Sequence, residues 1–420
     1  MNKTVLTIPF VALFALVALA PGFAAPTGED TGGKSFGGPD ATENLIEDDA
    51  TVTGSTLGDR LVQGWFDWKA EIQERHGFGL GLDYSSVWLG SSKEGLSGED
   101  GASSGMVRIF GAWELVNRGG ANSGAFVWKA ENRHRYGSIP PYEFGFEQGY
   151  VGMFVPSFSD QGGVVSNLYW RQRVAGGKVT LVGGLLDATD YVDVNAFASP
   201  WTGFVNFAFS TGSAATFVPN NVTAGLAAGA MLTEKFYVIG GITNAYADVK
   251  RPFKSFDYLS DGEYFKSIEI GLTPARGRIY NDNLHVTYWH VDASDKAGTP
   301  GGWGLNGQYI RTFGDRLMPF LRAGYAKDGG SLLQGSVTLG MGYAMVGGRD
   351  QLGFAGNWGQ PNESSFGPDL KDQYTFECFY RWQLGEQLAI TPDIQLLLDP
   401  ALNPDHDSLW IYGLRARLAL

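Results

Sequence analysis

The chain has 420 residues, with 60 glycines, 14% aromatic residues, 18% charged residues and a formal net charge of −13. One cysteine excludes a disulfide framework, and the acidic balance argues against nucleic acid as a partner. The length fits two or three ordinary domains or one large barrel.

The N-terminus carries Lys3, an apolar run from Val5 to Leu19, and then Pro21, Gly22, Phe23, Ala24 and Ala25. This pattern predicts a secretory signal peptide over residues 1–24, cleaved after Ala24, because the run is short and ends in small residues. Elsewhere the sequence has no uninterrupted apolar stretch of the roughly 18 residues that a spanning helix needs. A Gly-rich leader follows over residues 25–58, with seven acidic residues between Glu29 and Asp49 opposed only by Lys34. Its composition predicts a solvated, poorly ordered tail.

A short N-terminal helix is expected over residues 59–76. Asp59 can cap it, Leu61, Trp65, Trp68 and Ile72 form a stripe, and Gly77 can end it. From there the period drops to two. About sixteen strands are predicted, starting near Gly77, Gly105, Gly124, Ser166, Lys178, Val222, Phe236, Glu263, Asn283, Trp303, Leu317, Leu332, Asp350, Asp372, Leu388 and Ser408. Short turns around Arg118 to Ser123, Gly176 and Gly177, Thr233 to Lys235, Arg276 to Asp282, Gly314 to Arg316, Gly347 to Arg349 and Gly385 to Gln387 alternate with mostly longer loops. Asp328 to Ser331 is tight and breaks the alternation. The expected fold is all-β, a transmembrane antiparallel β-barrel over residues 77–420, with turns on the periplasmic rim and loops outside. Closure satisfies every backbone hydrogen bond in hydrocarbon, which an open sheet cannot do.

The strands are asymmetric in the way lipid outside and water inside require. Val107, Ile109, Trp113 and Leu115 oppose Arg108 and Glu114. Phe126, Trp128 and Ala130 oppose Lys129, Glu131, Arg133 and Arg135, and Leu168, Trp170 and Val174 oppose Tyr169, Arg171 and Arg173. A midplane arginine facing lipid costs roughly 2–4 kcal/mol, so these charges are expected inside the barrel. In the final strand Trp410, Tyr412, Leu414, Ala416, Leu418 and Leu420 oppose Arg415 and Arg417, which read as charges of the periplasmic vestibule. The thiol of Cys378 falls on a lipid-facing side and reads as a small apolar group.

The segments from Leu168 to Ala198, Phe320 to Gly330, Gly348 to Ala355 and Ile390 to Pro404, with YGLRARLAL from Tyr412, resemble the carbohydrate-selective porins of Gram-negative outer membranes, the OprB family. The likeness covers nearly the whole chain after the leader, and the helix around Trp65 to His76 resembles the family's N-terminal helix. Leu420 departs from the aromatic C-terminal residue that the barrel-assembly machinery reads. The resemblance implies a sixteen-stranded barrel that passes sugars by diffusion through a narrow charged constriction. It implies outer-membrane lipid and transported sugars as partners, no cofactor and no metal, and leaves monomer and homotrimer both open.

Sugar hydroxyls donate and accept hydrogen bonds and ring faces stack on aromatics, so a selective lumen combines charged and aromatic side chains. Arg108, Glu114, Lys129, Glu131, Arg133, Arg135, Arg171 and Arg173 form the candidate charged wall, unless they only pair across strands and stiffen it. Arg171 and Arg173 lead this set, since neither has an acidic neighbour on its own strand. The long loop from Asp187 to Asn221 supplies Asp190, Tyr191, Asp193, Asn195, Phe197, Trp201, Phe204 and Phe207. So many aromatics predict a loop that packs, and folding into the barrel would make it a constriction. His406 among acidic residues lacks metal-ligand spacing. GFGLGLD from Gly77 has no helix after it and reads as glycines keeping one wall face small. A general or anion-preferring porin is the alternative within the class, and an outer-membrane or secreted hydrolase the alternative outside it. A barrel hydrolase needs a nucleophile beside a base, and no serine is placed near a histidine on adjacent strand faces.

Overall fold

The alternation that begins after Gly77 closes on itself. In a computed structural model, which describes residues 36–50, 57–219, 221–345 and 350–420, sixteen antiparallel strands form one closed barrel in sequence order, with the first paired to the last. The strands are β1 (Phe78–Ser91), β2 (Gly101–Val116), β3 (Gly124–Arg135), β4 (Gly162–Val174), β5 (Val179–Leu186), β6 (Thr223–Met231), β7 (Phe236–Asn244) and β8 (Tyr264–Leu272). They continue as β9 (Asn283–Val291), β10 (Gly302–Ile310), β11 (Leu317–Asp328), β12 (Leu333–Ala344), β13 (Gln351–Pro361), β14 (Gln373–Gln383), β15 (Leu388–Leu398) and β16 (Ser408–Ala419). Every expected start lies within four residues of an observed one. The closing seam pairs Asp83 with Ala419 and Val87 with Arg415. No described helix is long and apolar enough to cross a membrane.

The outward face is apolar and aromatic, with Trp113, Phe126, Trp170, Phe354, Phe376, Trp410 and Tyr412 all exposed. Inward positions are buried, and their partners explain why. Two of the long loops turn into the barrel instead of away from it. Loop 2, residues 136–161, contains the short helix α3 (Pro141–Glu147) after α1 and α2, described next, and brings Phe144, Tyr150, Phe154 and Phe158 against Val87, Leu397 and Ile411 of the wall. Loop 3, from residue 187, packs Phe197, Phe204 and Phe209 on Phe320 and Phe379. The barrel therefore holds its own hydrophobic core inside its wall.

Two sequence expectations change at the N-terminus. The described part of the leader is folded: residues 42–50 form helix α1 (Thr42–Ala50), and Phe36, Leu45 and Ile46 are buried inside the barrel. The partners that remove it from water lie on the barrel wall, from Gly79 and Phe110 to Arg171 and Gly229, so composition alone reads it as a tail. Helix α2 runs Leu57–His76, which places Asp59 within the helix and not at its cap. Gly77 ends it as expected, with φ of 67° and its N–H on the Gln73 carbonyl at 2.9 Å. The Trp65–Trp68 pair, 5.1 Å between centroids, leaves Trp68 exposed. The signal segment and the turn at residues 347–349 lie outside the described residues.

Candidate functional site

Loop 3 crosses the lumen because charged side chains of the far wall hold its backbone. Glu377 of β14 accepts the N–H groups of Val205 and Asn206 at 2.6 and 2.9 Å. Arg415 of β16 donates to the carbonyls of Pro200 and Gly203, both at 2.9 Å. Arg322 of β11 pairs with Asp193 and donates to the Phe209 carbonyl at 3.1 Å. Asp193 also accepts from His285 at 2.7 Å, next to Glu269, whose carboxylate takes the Tyr237 and Thr287 hydroxyls. These three acid and histidine side chains are close enough for a metal, but Arg322 and the hydroxyls already fill their hydrogen-bonding positions. Arg415 is thus a buried anchor and not a vestibule charge. Placed this way, its guanidinium satisfies loop carbonyls that would otherwise be buried unpaired.

The open space lies between the loop and β1 to β5. An outer chamber is lined by Lys129, Glu131 and Arg133 of β3 and by Asp187, Asp190 and Trp201 of loop 3. Glu131 and Arg133 form an ion pair at 2.6 Å. Lys129 lies 3.5 Å from Asp190. Asp190 is fixed by a local turn, in which the Asp187 carboxylate accepts the Thr189 N–H at 2.9 Å and Asn167 donates to Asp190 at 2.7 Å. This carboxyl sits on the loop, outside the spanning strands, and burial pushes its pKa up to about 7 despite Lys129. Below the chamber, Arg108 is held by Asp83, its partner across the β1–β2 ladder, with Nε at 2.8 Å. Its guanidinium stacks on Trp201 at 3.6 Å from the ring centroid. Arg417 adds to the same Asp83 at 3.0 Å.

An inner chamber, at the barrel end that carries the short turns, is lined by Glu114, Arg118, Arg171 and Arg173. Arg171 donates to the Ser123 hydroxyl at 2.8 Å and lies 3.4 Å from Glu114. Its strongest partner is Glu43 of the leader, 2.7 Å away, and Arg173 reaches the same carboxylate at 3.4 Å.

The structure therefore brings Lys129, Glu131, Arg133, Asp190 and Trp201 together at one chamber and Glu114, Arg171 and Arg173 at the other. Arg108 sits beneath Trp201. Arg135 stands apart near the outer rim, half exposed and paired with Asp160 at 3.1 Å. Tyr191 is turned onto Gly241 of β7, Phe204 lies in the aromatic core, and Asp193 is buried beneath the loop. These three support the loop and do not line the outer chamber. Asp83, which holds Arg108 and Arg417, ends GFGLGLD, whose period of two puts it on the inward face. Arg322 lies within a segment that carried the family likeness, yet its partner is 129 residues away.

Residues 316–420 match the family described as carbohydrate-selective porin, OprB family. The porin AaxA of Chlamydia felis (strain Fe/C-56) is 24% identical over 284 residues, 63% of this chain and 60% of that protein, so the chain spans about 60% of that relative's length. A high-pH structure of OprB from Pseudomonas putida superposes with a TM-score of 0.67 at 16% identity, covering 85% of this chain and 97% of that one. A variant of the Rh. blastica porin gives 0.51 at 14% identity, covering 82% and 100%. Together these likenesses show the closed-barrel fold of the solved porins over most of the chain and a family match over residues 316–420.

Proposed function

We propose that this chain is an OprB-type porin of the outer membrane of a Gram-negative bacterium, reached through a cleaved signal peptide, and that it passes mono- or small oligosaccharides by selective diffusion. The observation that carries the reading is the outer chamber. Ionised groups of β3 that can bond hydroxyls face the Trp201 ring and Asp190 across one space, which is the pairing that ring faces and hydroxyls call for. The constriction runs from that chamber past Arg108 to the neck at Arg171 and Arg173. Contacts of this kind stay individually weak in water, as transport requires.

An anion preference is the competing reading, and the lining charges oppose it. Four carboxylates (Asp40, Glu131, Asp187 and Asp190) face two cations (Lys129 and Arg133) in the outer chamber. Swelling of proteoliposomes in neutral mono- and disaccharides, set against small organic anions of similar size, tests the reading. Faster entry of the neutral sugars is expected, and faster entry of the anions would replace it with the alternative.

A further inference from the structure

We infer that the barrel wall carries a peptide-binding seat whose occupant is the chain's own segment 36–47, and that this occupant closes the neck of the pore. The inference rests on the porin reading. Both chambers end on the segment: Gly38, Pro39 and Asp40 line the outer one, and Glu43, Ile46 and Glu47 the inner one.

The wall is shaped to receive it at three points. Glu43 meets Arg171 and Arg173, two cations on one strand face, at 2.7 and 3.4 Å. Phe36 lies under the Arg276 guanidinium, 4.4 Å from ring centroid to cation, and presses on Gly229 of β6. A Cβ at Gly229 would lie 2.4 Å from the Phe36 ring, and one at Gly79 of β1 would lie 2.9 Å from Ile46. Any larger residue at those inward positions would push the segment out. The segment is also folded to fit. Asn44 donates to the carbonyls of Gly38 and Gly37 at 2.8 and 3.2 Å, Asp40 accepts from Ser199 of loop 3 at 2.8 Å, and the Gly38 N–H bonds the Asp190 carbonyl at 2.7 Å.

The chain continues into α2 at the periplasmic rim, so the segment enters from that side. Withdrawal toward the periplasm frees Arg171 and Arg173 and joins the two chambers. The seat is then a selective site for a short acidic peptide with one aromatic anchor.

The test is conductance in planar bilayers of the full chain and of the chain lacking residues 36–47, with folding checked by heat-modifiable migration. The deletion is expected to hold the pore open, and a synthetic peptide of residues 36–47 added to the periplasmic side is expected to close it again. The same peptide carrying Glu43→Lys should block at least about tenfold more weakly, since it sets a like charge against Arg171 and Arg173. A deletion that leaves conductance unchanged, or a peptide without effect, overturns the inference.

If the deletion fails to fold, Phe36→Cys with Gly229→Cys in a Cys378→Ser background replaces it, since the two Cβ positions are close enough to bridge after a small shift. The oxidised form should stay closed and recover on reduction, and equal conductance in both states overturns the inference. A folded deletion variant that passes neither ions nor sugars would instead overturn the porin reading.

Discussion

The two halves of the barrel wall use the same residue types for opposite ends. On β11, β14 and β16 the inward Arg322, Glu377 and Arg415 are buried under loop 3 and hold its backbone. On β2 to β4 the inward Arg108, Lys129, Glu131, Arg133, Arg171 and Arg173 border the chambers or the neck between them. Strand periodicity is the same on both sides. What differs is where the loops land, and a loop is attracted to the wall that offers partners for its carbonyls and N–H groups.

The largest effect is expected on the anchoring side. Arg322→Ala leaves Asp193 buried without its main cation and should cost about 3–5 kcal/mol. The temperature at which the folded barrel band disappears on a gel should fall accordingly. Arg135→Ala, half exposed with Asp160 and the Ser138 carbonyl as exposed partners, should cost under about 1 kcal/mol by the same measurement. Similar losses for the two would erase the distinction between the halves.

On the chamber side, Trp201→Ala removes the ring face and uncovers Arg108. Losing about 1–1.5 kcal/mol of stacking should raise the sugar concentration that half-blocks ion current by about tenfold. Folding temperature should move less than for Arg322→Ala, and a sugar block that is unchanged would take Trp201 out of the path.

A smaller effect is expected for Arg171→Ala. Losing a cation at the neck should shift the reversal potential toward cations and alter sugar flux. Unchanged values would remove Arg171 from the constriction.

The smallest effect comes from pH. The Asp190 carboxyl, raised to about 7 by burial, is neutral below that value and charged above it. Cation preference should therefore rise between pH 6 and 8. Asp190→Asn should abolish that rise, and a rise that persists in the variant would assign it to another group.

The barrel was legible because its signal is local. Strand starts and lipid faces follow from alternation and turn chemistry within about ten residues, and Gly77 marked the helix end through its backbone freedom alone. The inward folding of loop 3 was also legible, since Phe197, Trp201, Phe204 and Phe207 could not stay in water. The division of labour among inward charges was not. Arg415 reads as a vestibule charge because its partners, Pro200 and Gly203, are over 200 residues away. Glu43 reads as part of a solvated acidic run because Arg171 is 128 residues away. Composition describes what a segment does in water, and both segments were taken out of water by partners that only the closed barrel assembles.

Sugar selectivity is tested most directly by ion current through single channels titrated with neutral mono- and disaccharides, on the full chain and on the chain lacking residues 36–47. The expected result is a saturable block by neutral sugars that weakens in the Trp201→Ala background, with small anions permeating no faster than sugars of similar size. Current that no neutral sugar reduces, combined with faster passage of small anions, would contradict the account.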